Sequence, residues 1–105
     1  NLTGPDLEYR AKLVELTFAK ESLYGLINFF IKNSNHDRGN PHAFGNFCVT
    51  RDVSIKLFDG KQESNIEKWK TIPVERINNI AKELLLTNTK LMKEAGAEKV
   101  SEFMQ

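Results

Sequence analysis

Between Pro5 and Pro41 the chain has no proline, and in that window Tyr9, Leu13, Leu16, Lys20, Leu23, Ile27 and Phe30 follow one another at spacings of four and three. Residues at that spacing share one stripe of an α-helix, so the pattern predicts a single long helix from Leu7 to about Lys32. Gly4-Pro5-Asp6 precedes it as a start signal, with Asp6 as its cap. The seam has one polar member, Lys20. Val14, Phe18, Leu26, Phe29 and Ile31 run beside it, so the apolar surface is wider than one partner helix covers.

A second helix start lies at Thr71-Ile72-Pro73, where Thr71 can cap and proline is tolerated in the first turn. Ile77, Ile80, Ala81, Leu84, Leu85, Leu91, Met92 and Ala95 extend an apolar face from there to about Glu94, interrupted by Thr87 and Asn88. An antiparallel pairing of the two helices sets Lys20 near Asn88, where the two either meet in a polar layer able to fix register or both point at solvent from slightly rotated helices. A chain of 105 residues is read as one domain, residues 1-105. Two helices of about 35 to 40 Å each cannot enclose such wide faces alone, so a homodimer forming a four-helix bundle is expected.

Residues 33 to 46 read as a loop, because residues 33 to 42 are almost entirely turn-forming or polar, after which the period changes. Phe47 and Val49 alternate with Cys48 and Thr50, and Val53, Ile55 and Leu57 alternate with Ser54 and Lys56. That is strand periodicity, and with a turn at Thr50-Arg51-Asp52 and another at Asp59-Gly60 it predicts a β-hairpin. The expected fold class is therefore α+β, mostly helical, with two long antiparallel helices joined through a β-hairpin.

Fifteen Lys and Arg stand against fourteen Asp and Glu. Residues 1 to 60 carry seven of each sign, so neither half holds the basic excess a dedicated nucleic-acid binder needs. Cys48 is the only cysteine, which excludes an internal disulfide and any CxxC motif. Its apolar neighbours make it a core residue rather than a reactive thiolate. The longest apolar run, Leu26 to Ile31, is broken by Asn28 and is far too short to cross a bilayer. A cytoplasmic setting without membrane attachment is expected. The six glycines form no phosphate-binding or dinucleotide pattern, and no cofactor is expected.

Two regions could carry function. The loop His36-Asp37-Arg38-Gly39-Asn40-Pro41-His42 gathers both histidines beside a carboxylate and a guanidinium, groups that move protons and hold phosphate. His36, Asp37, Arg38 and His42 are its candidate catalytic residues, for a small ribonuclease or nucleic-acid-binding protein. Three local metal ligands, His36, Asp37 and His42, fall short of a zinc set, and no metal is expected. Arg38 with His42 resembles the arginine and histidine motif of the HEPN ribonucleases, all-helical dimers. Only three residues separate the pair here, and Gly39 and Pro41 interrupt a segment the family carries on a helix, so membership is not assigned. The second region is Trp69 with Phe58 and Arg51, read as a partner-binding surface. The favoured role is a non-enzymatic protein-protein interaction or adaptor module that self-associates through its helical faces.

Overall fold

The apolar stripe expected on one long helix is carried by two. The computed structural model describes residues 4–37 and 39–95, which form five helices. These are α1 (Gly4–Phe18), α2 (Leu23–Lys32), α3 (Pro41–Leu57), α4 (Ile66–Trp69) and α5 (Val74–Ala95). Asp6 lies within the first turn of α1, buried, rather than ahead of it.

Asn78 of α5 holds the chain where the first stripe breaks. Its Nδ2 donates to the carbonyl oxygens of Leu16 at 2.7 Å and Ala19 at 2.9 Å, and its Oδ1 accepts from Lys20 Nζ at 2.8 Å. The last carbonyls of a helix have no partner within it, and this buried amide supplies one. Lys20 therefore meets Asn78, not Asn88. Asn88 instead accepts from Arg10, whose second terminal nitrogen donates to Thr89 Oγ1 at 3.0 Å. From Arg10 on α1 to Lys20 just past its end the chain advances ten residues while their partners on α5 step back ten, from Asn88 to Asn78, so α1 and α5 run antiparallel.

The break turns α2 so that the seam closes on its own chain. Tyr9, Leu13, Leu16, Leu23, Ile27 and Phe30 are all buried, together with Val49 and Val53 of α3, Trp69 of α4, and Ile77 and Ala81 of α5. α1 packs against both α3 and α5, while α2 packs on α3 and α4. Cover for the seam within one chain removes the packing argument for a two-chain bundle.

The expected β-hairpin is a helix, and among the described residues there is no strand. The fold is all-helical, not α+β. Asn40 caps α3 by accepting from the amide of Ala43 at 3.3 Å, and Pro41 follows at the first helical position. Phe44, Cys48, Val49 and Val53 then face the core at helical spacing. Thr50 and Ser54, which the alternating pattern placed outside, are buried, whereas Ile55, which it placed inside, is exposed; Cys48 is in the core, as its apolar neighbours predicted. The hydroxyl of Thr50 is satisfied by the carbonyl of Asn46 at 2.9 Å.

Close approach of α1 and α3 depends on Gly45, where a Cβ would lie 2.8 Å from Glu8 Cβ. Asp59 and Gly60, with φ of 53° and 80°, do turn the chain, but at the end of a helix. Thr71 does not cap α5. Its hydroxyl donates to Lys68 O at 2.6 Å, and the carbonyl of Pro73 receives the first helical amides, those of Arg76 and Ile77. Among the described residues no helix is long and apolar enough to cross a membrane.

Candidate functional site

The histidine loop is held by its own turns. Asn35 Oδ1 accepts from the amide of Asp37 at 2.7 Å, and Asp37 Oδ1 accepts from that of Gly39 at 2.8 Å. The His36 ring lies against Phe47, centroids 4.0 Å apart. His42 sits in the first turn of α3, its Nδ1 3.0 Å from Glu8 Oε2. His36, Asp37 and His42 therefore have three different partners within the fold, and Arg38 lies outside the described residues. No group of three His, Cys, Asp or Glu side chains is placed to hold a metal ion among the described residues.

Trp69 and Phe58 come together, edge to face at 5.3 Å, but as a core contact. Trp69 is 1% exposed and its Nε1 donates to Glu63 O at 3.0 Å. The Glu63 carboxylate accepts from the amide of Asn65 at 2.9 Å, which with Lys68 nearby holds its pKa below the usual value. Arg51 belongs to a separate cluster. Its Nε donates to Asp52 Oδ1 at 2.8 Å, and its guanidinium lies 5.6 Å from the Phe47 ring centroid. Burial opposes the Arg51 charge, but the hydrogen bond and charge of Asp52 outweigh it and raise its pKa. The other Asp52 oxygen accepts from Tyr9 OH at 2.7 Å. Burial first, and the Asp52 carboxylate second, push the Tyr9 phenol well above its ordinary range.

The most accessible large apolar side chain among the described residues is Phe18, 73% exposed at the end of α1. It borders two shallow recesses. One runs along the bend toward α2 and is lined by Glu15, Glu21, Gly25 and Leu26; the other opens against α5 and is lined by Lys20, Lys82 and Leu86. Glu15, Glu21 and Lys82 are exposed and make no ion pair with another described residue. Val14 and Leu86 are exposed as well, one turn before Phe18 and on the facing side of the second recess. In the sequence Val14 and Phe18 stand out as apolar residues beside the seam, but nothing there separates them from core. Leu86 carries no signal at all. Comparison with known proteins finds no family model, no curated protein and no solved structure that matches this chain.

Proposed function

We propose that the protein is a non-enzymatic interaction module that self-associates through the face around Phe18, its partner being a second copy of the same chain. The observation that carries this is the placement of Phe18 between an acidic recess, with Glu15 and Glu21, and a basic one, with Lys20 and Lys82. Single exposed apolar residues are ordinary, but a cluster of them rimmed by charge marks an interaction surface. A two-fold axis sets the same patch against itself, so the acidic recess of each copy meets the basic recess of the other. The surface is complementary to itself.

Light scattering on a dilution series tests this. A dimer is expected that dissociates on dilution and weakens with salt. Phe18→Asp should give the monomer mass with an unchanged far-UV circular dichroism spectrum. Glu21→Lys and Lys82→Glu should each weaken the dimer, and mixing the two variants should restore it, because opposite charges then meet at both ends. The double change of His36 and His42 to alanine should leave the mass unaltered. A wild-type monomer at every concentration, or equal masses for wild type and Phe18→Asp, overturns the proposal.

A further inference from the structure

The recess that opens between Phe18 and α5, about 380 Å³ in volume, is cationic toward one end and apolar at the other. Asn78, Lys82 and Leu86 line it at intervals of one helical turn, so its wall on α5 runs for about 12 Å. Asn78 fixes the cationic end. Its Oδ1 holds Lys20 Nζ at 2.8 Å, which uses one of the three donors of that ammonium. A helical side chain leans over the turn that precedes it, and this carries Lys82 back toward Asn78 and the lysine held there. Lys20 and Lys82 are both exposed, and neither makes an ion pair with another described residue. Leu85 and Leu86 line the other end, and Phe18 lines the same recess from α1.

These walls narrow what can enter. A cation is repelled by two ammonium groups that have no counter-charge. Inorganic phosphate suits the lysines but leaves Leu86 and Phe18, both open to solvent, uncovered. A neutral hydrocarbon covers them and leaves the lysines as they were. The group that satisfies both ends is a carboxylate on an unbranched apolar chain, its charge set against the two ammonium groups and its chain laid along the leucines. A glutamate from a second copy brings the same carboxylate without the chain.

We infer that this recess binds a medium-chain aliphatic carboxylate, its head between Lys20 and Lys82 and its chain along Leu85, Leu86 and Phe18. The binding stands on the recess alone. Its consequence rests on the self-association proposed above: the ligand takes the place of the glutamates of the second copy and covers Phe18, so it dissociates the dimer.

Octanoate, kept below its micellar concentration, is titrated into the ¹⁵N-labelled full chain by NMR, with butyrate and octylammonium alongside. The titration is run on wild type and on Glu21→Lys, which disfavours the dimer and changes no residue lining this recess. Saturable shifts are expected at the Asn78 side-chain amide and the backbone amides of Asn79, Lys82 and Leu86. A methylene half covered by the apolar wall tightens binding about 2-fold, so octanoate should bind about 15-fold more tightly than butyrate. Lys82→Ala and Leu86→Ala, both at exposed positions that folding tolerates, should each weaken octanoate about 2- to 5-fold. In light scattering, saturating octanoate should bring the wild-type mass down to that of the monomer. No saturation in either chain, butyrate binding as tightly as octanoate, octylammonium moving the same amides with equal affinity, or both alanine variants binding like wild type overturns the inference. A dimer unchanged by saturating octanoate overturns the control of assembly. Wild type that is monomeric without ligand counts against self-association only, and the titration still decides the recess.

Discussion

A single side chain, Asn78, bonds three groups that lie 58 to 62 residues away in sequence, and no hydrophobic residue of its size can do the same. Asn78→Ala leaves the carbonyls of Leu16 and Ala19 and the ammonium of Lys20 without it, and should cost about 2 to 3 kcal/mol in urea denaturation. Asn78→Asp keeps a partner for Lys20 but turns a carboxylate toward two carbonyl oxygens, so it should destabilise as well. Tyr9 gives a pH signature. Its ordinary pKa is 10.0 and the folded state raises it. The unfolded chain therefore loses the phenol proton first as pH rises. The Tyr9 contribution is fully present below about pH 10 and declines above it, so stability should fall with alkalinity in that window. Tyr9→Phe should flatten this slope while lowering stability at neutral pH by about 1 kcal/mol, the worth of the bond to Asp52. At this scale the sequence was informative in one direction only. Lys20 was legible as a polar residue in an apolar seam able to bond an amide, but which of the three asparagines on α5 meets it depends on where the first helix breaks.

At the scale of elements, α3 is the part that misled. Val49, Thr50, Val53 and Ile55 are β-branched and fall among residues that alternate, so a two-residue period fits as well as a helical one. The spacing Phe44, Cys48, Val49, Val53 and the Asn40-Pro41 start both point to a helix, and they lie partly inside a segment whose polar composition reads as loop. Asn40→Ala should cost about 1 kcal/mol through loss of the cap. Gly45→Ala makes a sharper test because the sign is at stake. In an exposed helix that change stabilises by about 1 kcal/mol. Here the new methyl meets Glu8 Cβ, with backbone atoms of Glu8 and Tyr9 close behind, so α1 and α3 must separate and a loss of about 1 to 3 kcal/mol is expected in thermal unfolding. The seam itself was legible to the residue, since every apolar position named on it is buried, although the helix carrying it is broken in two.

Over the whole molecule, the closed core predicts one cooperative unit. Trp69 is the only tryptophan and is buried, so its fluorescence and the far-UV circular dichroism should change together on denaturation, the mark of a two-state transition. Trp69→Ala should cost about 3 to 5 kcal/mol, a large share of the stability of a domain this size. Its burial was not legible, because a lone tryptophan in a polar stretch looks like a surface anchor until Phe58 and the carbonyl of Glu63 are brought to it. The Phe18 face was hidden for the opposite reason, as an apolar residue beside a seam looks like core. The bracket formed by Asn78 also orders events in time. Lys20 and the residue that holds it are 58 positions apart, so a ribosome releases the first two helices well before the side chain that bends them has been made. Until then the stripe is a nascent surface without its fixed corner, and the final shape of the amino-terminal third is decided only when α5 emerges.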